Sequence, residues 1–285
     1  MGKTLVIALD GLDYSLIKKF ELDNVVQEEF GKIDNHTEMK TIKTSELFAS
    51  FITGTNWENH GVEGLTGYKR PSRARKMDFF LPEFLKGFKG YYTLRNILDD
   101  IFKPGRKRYD SSMWDYETIF DQVENSRAIF VPSYNPSPYW VMEADLGHAM
   151  KFGYTGEEVL DIYDEIEYPH RKKKLFDELE NDILPTRNFL MVHFHRPDTY
   201  QHVYGDFNLD EQKLKKMYHE MDELAKKIKQ KALQKGYERI IFMSDHGLPA
   251  EEGHNENAFY SSNKELFGEE KPHITDFYDK FKHRG

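Results

Sequence analysis

Short runs of consecutive apolar residues recur along the chain, and between them apolar positions fall every three or four residues. The runs are TLVIAL at 4–9, RAIFV at 127–131, NFLMVHF at 188–194 and ERIIFM at 238–243. Each is short, rich in β-branched or large apolar residues and followed by turn-forming residues, which predicts strands buried on both faces. Residues 39–43 offer a further candidate strand. The intervening pattern is helical. Residues 13–20 open with Asp13 as a candidate N-cap. In 45–53, Leu47, Phe48, Phe51 and Ile52 share one face, and Gly54 follows as a stop. Residues 114–123 and 157–184 also read as helix, and 209–235 as a long amphipathic one. Beyond Met243 the chain reads as irregular to Gly285. Alternation of strand and helix predicts an α/β fold with a doubly wound, mostly parallel sheet.

Residues from about 67 to 112 break this alternation. The segment is basic and aromatic, with FFLPEFLKGFKGYY inside it. It reads as an insertion that folds over a site or pairs with a second subunit. The expected organisation is therefore one domain, 1–285, carrying a small inserted cap, with a homo-oligomer as one use of that cap.

Composition narrows the chemistry. With 31% charged and 39% hydrophobic residues the chain is that of a soluble globular protein. No apolar run approaches the roughly 18 residues of a membrane span. The apolar start runs straight into Asp10 and Gly11, so it reads as a strand and the expected location is cytoplasmic. There is no cysteine, which excludes disulfides, thiolate metal sites and a cysteine nucleophile; a metal would be held by His and carboxylates. A net charge of −9 argues against nucleic-acid binding. Two basic clusters stand out against it: Lys69, Arg70, Arg73, Arg75 and Lys76, then Lys103, Arg106, Lys107 and Arg108. Such runs are either solvated surface or a means of drawing in an anionic substrate.

In doubly wound sheets the active site lies at the carboxyl ends of the strands. Asp10 ends the first run, Asp198 follows the third closely, and Asp245 and His246 follow the fourth. Asp198 and His202 in PDTYQH are spaced i, i+4, so a helix would turn both to one ion. His254 lies eight residues after His246 in a Gly-flanked loop. Taken singly, each fragment also fits a surface pair or a turn. Together, in this order and at strand ends, they outline a metal site.

Four blocks resemble one family: LVIALDGLD, KTSELFASFITGTNWENHG, RPDTYQH, and MSDHG followed by GHNEN. In order and over residues 5 to 257 they resemble the alkaline phosphatase superfamily, in its type I phosphodiesterase/nucleotide pyrophosphatase branch. The resemblance implies an alkaline-phosphatase-like sheet and a nucleophile ten residues before Gly54, which is Thr44. A threonine hydroxyl is a poor nucleophile unless a cation and a helix N-terminus lower its pKa, and the same N-terminus can hold a phosphate oxygen. Thr44 or Ser45 could equally serve as an N-cap, and Ser45 is the alternative nucleophile. By resemblance, Asp198, His202 and His254 would take one divalent ion, and Asp10, Asp245, His246 and the Thr44 oxygen the other. The mixed N/O donors suit zinc, with Mn²⁺ or Fe²⁺ compatible. The implied reaction is hydrolysis of a small phosphorylated substrate, such as a nucleotide, through a phospho-threonine. His60 reads as structural; His193 and His195 read as packing or surface residues ahead of a supporting role behind the metals.

The chain also departs from the family. Nucleotide pyrophosphatases of this branch carry an Asn after the ENHG-like turn that binds phosphoryl oxygens, and here the chain reads HGVEGLTGYKR. Lys69 or Arg70 would supply that charge instead. The departure leaves a phosphomonoesterase or phosphonate hydrolase open beside a diesterase, and a non-catalytic binding protein as a reading of a different class. Tyr134, with Trp140 and the aromatics of the insertion, could stack on a base or sugar, or could simply pack. If Lys69 or Arg70 replaces the missing Asn, alanine at either lowers turnover of a phosphate ester; an unchanged rate removes that residue from the site.

Overall fold

The structure is a computed structural model, and it describes residues 2–62, 66–67, 107–108, 110–113, 116–137, 155–183, 185–204, 210–250, 253–268 and 270–282. Among the described residues six strands form the central sheet: β1 (Thr4–Leu9), β2 (Glu29–Lys32), β3 (Ser126–Ile129), β4 (Phe189–Phe194), β5 (Arg239–Ser244) and β6 (Phe259–Ser262). Their order is β2–β6–β5–β1–β4–β3. Strands β3, β4, β1 and β5 pair in parallel, while β6 runs antiparallel between β5 and β2. This is the mostly parallel α/β sheet that the alternation predicts.

The two faces of the sheet follow from the period of two along each strand. Leu5, Ile7 and Leu9 of β1 join Leu190 and Val192 of β4 and Ile240 and Phe242 of β5 in one apolar cluster. That face is covered by α6 (Tyr168–Glu180) through Leu175 and Leu179, and by α8 (Glu211–Gln234) through Leu214, Met217, Met221 and Ile228. Val6, Ala8, Met191, Ile241 and Met243 face the other way. There they meet α2 (Thr44–Thr53) through Leu47, Phe48, Phe51 and Ile52, and α9 (Asp276–Phe281) through Phe277 and Phe281. Burying each such side chain contributes about 1.5–3 kcal/mol before the entropy cost of ordering it.

The remaining helices are short: α1 (Tyr14–Lys19), α3 (Trp57–His60), α4 (Ile119–Gln122), α5 (Gly156–Ile162) and α7 (Arg196–Tyr204). Between α5 and α6 lies one π-turn, Tyr163–Glu167. Thr66–Gly67 pairs antiparallel with Lys107–Arg108, so the two ends of the segment expected as an insertion meet. Lys69, Arg70, Trp140 and the FFLPEFLKGFKGYY stretch lie outside the described residues.

The helix expected over 114–123 covers only Ile119–Gln122 among the described residues, and two further expectations need correction. Residues 39–43 form no strand: the Lys40 and Thr41 amides and the Thr41 hydroxyl bond to the buried Glu46 carboxylate, not to a neighbouring strand. One edge strand is instead β2, with the sequence EFGK, whose lack of an apolar run hid it. The tail is not irregular either, since it supplies β6 and α9. Strand β6 reads FYSS; its serines are fully buried but carry no apolar signal.

Gly11 sets how closely α7 approaches the end of β1. Its φ is +73°, and a Cβ there would lie 3.0 Å from Gln201 Oε1 and 3.1 Å from Asp198 Cβ. Gly11→Ala is therefore expected to cost about 2–4 kcal/mol from left-handed strain plus crowding. Urea unfolding checks this, and an unchanged midpoint would mean that α7 can retreat freely.

Candidate metal centre

The carboxyl edge of the sheet gathers the chemistry. Asp10 follows β1, Asp245 and His246 follow β5, and His193 and His195 sit at and just past the end of β4. Asp198 and His202 lie on α7, where helical spacing turns both to one side, and their nearest atoms are 3.4 Å apart. His254 comes from the hairpin Pro249–Ala250/Gly253–His254. Asp13 fastens the region that carries it. One Asp13 oxygen caps α1 at the Ser15 and Leu16 amides. The other accepts from Leu248 N and the Asn255 and Asn257 side chains.

Among the described residues three groups of donors lie close enough to hold a cation, with one atom per residue within 4.8 Å of its partners: Asp198/His202/His254, Asp10/Asp245/His246 and Asp10/His195/Asp198. The six candidate ligands of the sequence thus come together in two of these groups. Thr44 joins the second, its Oγ1 3.0 Å from His246 Nε2 and 3.3 Å from Asp10 Oδ1.

The hydrogen bonds show what the donors face. His246 Nδ1 lies 2.9 Å from the Gly247 carbonyl and His254 Nδ1 3.3 Å from the Ile42 carbonyl. A carbonyl only accepts, so each Nδ1 carries a proton and Nε2 is the atom that each ring, once neutral, can turn to an ion; in the metal-free protein the Asp245 and Asp10 charges keep a second proton on His246. His246 Nε2 then points at Asp10 Oδ1 (3.1 Å) and Asp245 Oδ2 (3.5 Å). His254 Nε2 points at His202 Nε2 (3.2 Å) and Asp198 Oδ1 (3.3 Å). When the rings are neutral, lone pairs converge on lone pairs. In addition both Asp245 oxygens and Asp198 Oδ1 are buried without a hydrogen-bond partner. Buried carboxylate oxygens left unpaired are costly, and a cation at each convergence relieves both problems. The donor set of three Asp and three His therefore fits divalent ions.

Charge leaves its mark on the acids and bases. Burial and the neighbouring Asp10 charge push the Asp245 carboxyl up to about 8. Burial opposes the charged form of Asp10 as well, but hydrogen bonds from His193 and His246 outweigh it and hold Asp10 well below the usual carboxylate range. For His246 burial favours the neutral ring, yet Asp245 and Asp10 raise it to about 10.

Helix α2 delivers Thr44. Its N-cap is Lys43, which makes no side-chain cap bond, so neither Thr44 nor Ser45 acts as the cap. An uncapped helix start leaves backbone N–H groups for an anion. Glu46 anchors the approaching segment, and Ser133 Oγ donates to the Ser45 carbonyl. Ser45 is buried while Thr44 is partly exposed.

The remaining candidate residues fall as follows. Tyr134 does not meet the carboxylates in any described contact; its ring stacks on Phe120 at 4.5 Å and packs on the core. His60 bonds Ser50 Oγ and the Val62 amide, a structural role. His193 and His195 are more than packing: His193 Nε2 lies 2.9 Å from Asp10 Oδ2, and His195 Nε2 lies 3.1 Å from Asp198 Oδ2. Their i, i+2 spacing at a strand end was the available signal. Arg171 and Glu167 gave none, and Asp13 was legible only as the N-cap of α1.

A sheet edge where carboxylates and imidazoles converge beside a hydroxyl at a helix start defines a metal-dependent class of α/β protein. The chain belongs to the type I phosphodiesterase/nucleotide pyrophosphatase family, whose model matches residues 4–271, and so to the alkaline phosphatase superfamily. Among solved structures it is similar to murine ectonucleotide pyrophosphatase/phosphodiesterase 5, with a TM-score of 0.51, 15% identity, and coverage of 86% of this chain and 57% of that one. An inactive threonine-to-alanine variant of the same murine protein, in complex with AMP, matches with a TM-score of 0.51 and 15% identity over 87% of this chain and 57% of that one. The chain thus spans just over half the length of these relatives, and the likeness concerns the fold. No curated protein sequence matches it. Among the described residues no helix is long and apolar enough to cross a membrane.

A pH test follows. Because the folded His246 value is raised above the ordinary 6.5, its stabilisation of the metal-free protein is complete below that value and is lost as pH rises towards about 10. Melting in chelator is expected to fall across this window, and added Zn²⁺ or Mn²⁺ to reverse the loss, by about 2.7 kcal/mol at a hundredfold excess over Kd. A melting curve indifferent to added metal would remove the metal centre.

Proposed function

We propose that this protein is a two-metal phosphodiesterase or nucleotide pyrophosphatase acting through a phospho-threonine on Thr44. The observation that carries the proposal is the position of Thr44 Oγ1, within 3.3 Å of Asp10 and His246 at the start of a helix with no side-chain cap. In this reading Asp198, His202 and His254 hold one divalent ion, and Asp10, Asp245 and His246 the other, together with Thr44. Zinc is the ion best matched to the donors. When bound, the ions lower the pKa of the hydroxyl and stabilise charge on the leaving oxygen.

The chain's own residues do the rest. The free N–H groups at the start of α2 bind a non-bridging phosphoryl oxygen. Thr44 Oγ1 donates to Asp10 Oδ1, so its proton has an acceptor in place. Attack forms the Oγ1–P bond and breaks the P–O bond to the leaving group; water then cleaves the phospho-threonine and restores the hydroxyl. Partial exposure of Thr44 favours it over the buried Ser45.

A nucleotide is the substrate class that the family description and the AMP complex of the murine relative suggest. Lys69 and Arg70 are retained as candidate phosphate-binding residues. The same reading takes the chain as one domain with an insertion at about 67–112, working in the cytoplasm.

The test is hydrolysis of bis-p-nitrophenyl phosphate and p-nitrophenyl phosphate side by side with Zn²⁺ or Mn²⁺. Thr44→Ala is expected to lower metal-dependent release by roughly 10³-fold or more, and Ser45→Ala to spare it. A preference for the monoester would replace the diesterase by a phosphomonoesterase. Full activity in Thr44→Ala would sink the nucleophile. Tight metal binding without hydrolysis of either ester or of a nucleotide would favour a binding protein.

A further inference from the structure

Among the histidines around the two clusters, His193 is wired in the opposite sense. His246 and His254 each spend the Nδ1 proton on a carbonyl and turn Nε2, the nitrogen an ion would take, to the carboxylates. His195 follows them: Thr199 Oγ1 donates to the His195 carbonyl, so at the 3.1 Å contact with Nδ1 the ring must be the donor. At His193 the partner of Nδ1 is the Arg171 guanidinium, at 2.9 Å, and the same Nη1 also donates to the His193 carbonyl. A guanidinium can only donate. His193 Nδ1 is therefore the acceptor, the proton sits on Nε2, and Nε2–H donates to Asp10 Oδ2 at 2.9 Å.

The chain behind this contact is buried throughout. Glu167, at the end of the π-turn, pairs with Arg171, and Arg171, His193, Glu167 and Asp10 are each 0–1% exposed. Phe48 of α2 closes the ring edge-on, 5.0 Å from His193 between centroids. None of these contacts lets the His193 ring turn over to offer a bare nitrogen to an ion.

We propose that His193 is a positioning residue, not a ligand: oriented by Arg171, it fixes the rotation of the Asp10 carboxylate so that Oδ1 faces Thr44 and His246. Oδ2 is held by the Nε2–H bond, while Oδ1 remains 3.3 Å from Thr44 Oγ1 and 3.1 Å from His246 Nε2. A carboxylate clamped at one oxygen presents the other in a fixed direction, which lowers the entropy lost when an ion binds. The effect belongs to the Asp10/Asp245/His246 ion alone. It rests on the two-ion reading above.

Two substitutions separate the positioning bond from packing. In His193→Asn the amide oxygen can occupy the Nδ1 position and keep Arg171 satisfied, but the side chain is too short to reach Asp10. In His193→Gln the longer amide can still donate to Asp10. Metal-free protein is titrated calorimetrically with Zn²⁺, with Asp245→Asn and His202→Asn as references that assign the binding phases; chelator-treated melts report whether each variant folds. His193→Asn is expected to weaken the Asp245-dependent phase by about 10- to 100-fold and to leave the His202-dependent phase unchanged, with Gln recovering most of the loss. Equal weakening of both phases, no weakening, or a Gln variant no better than Asn would each overturn the positioning role. A wild type with only the Asp245-dependent phase would overturn the two-ion reading and leave this test in force; one lacking that phase would overturn both.

Discussion

The buried Asp10 carboxylate is the point on which the centre turns. It stands at the end of the central strand, fully buried, and meets side chains from three other parts of the chain: Thr44 from α2, His193 and His195 from the end of β4, and His246 after β5. Removing a carboxylate from water is expensive, and here polar partners on both oxygens offset the cost. Those partners arrive only if the strands keep register. Leu9 lies beside Phe194 and Ala8 beside Met243, which brings three strand ends level. A slip of one residue would turn Val6 and Ala8 to the wrong layer as well as moving Asp10. Core packing and site geometry are therefore set by the same pairing.

Around this point the fold couples local devices to the chemistry. Asp13 caps α1 with one oxygen and gathers the 247–257 segment with the other, so a helix cap also holds the stretch between His246 and His254. Gly247 is part of that arrangement: a Cβ there would lie 2.2 Å from Asn255 Oδ1 and 2.3 Å from Asp13 Oδ2. Glu46 spends its carboxylate on the chain entering α2, leaving the helix start uncapped. Gln201 ties α7 to the Gly11 carbonyl and to Tyr218 of α8. Each ligand thus sits on an element held by hydrogen bonds separate from those that face the ions.

Legibility in the sequence tracked the kind of signal each residue gives. Strands β1, β4 and β5 announce themselves as apolar runs, and their ends were found within a residue. The six candidate ligands were legible because Asp and His at strand ends are chemically conspicuous. Strands β2 and β6 were not, since EFGK and FYSS owe their place to neighbours and not to their own hydrophobicity. Arg171 was hidden for a similar reason: on a helix reading YPHRKKKLFDELE one more cation looks like solvated surface. Only its tertiary surroundings distinguish it from Lys172 and Lys173. His193 and His195 fell between these cases, since their alternation could be read but their partners could not.

The charge balance of the centre also bears on how an acidic protein would take an anionic substrate. With a net charge of −9 the chain as a whole repels phosphate. The cluster itself is worse before ions bind, because Asp10, Asp198 and Asp245 converge on a small buried volume where three carboxylates cannot all stay ionised. Asp245 takes up the strain, its carboxyl raised by burial and by the Asp10 charge. Arg171 cannot relieve it, since that cation is already paired with Glu167. Imidazoles that ligate an ion are neutral and add no charge. On the two-ion reading, two divalent cations against three carboxylates leave one net positive charge at the mouth of an uncapped helix, in surroundings that screen it poorly. Attraction for phosphate then arises at the one place where the reaction would occur, and only in the metal-loaded protein, so the acidic surface can reject anions elsewhere without opposing the substrate at the site.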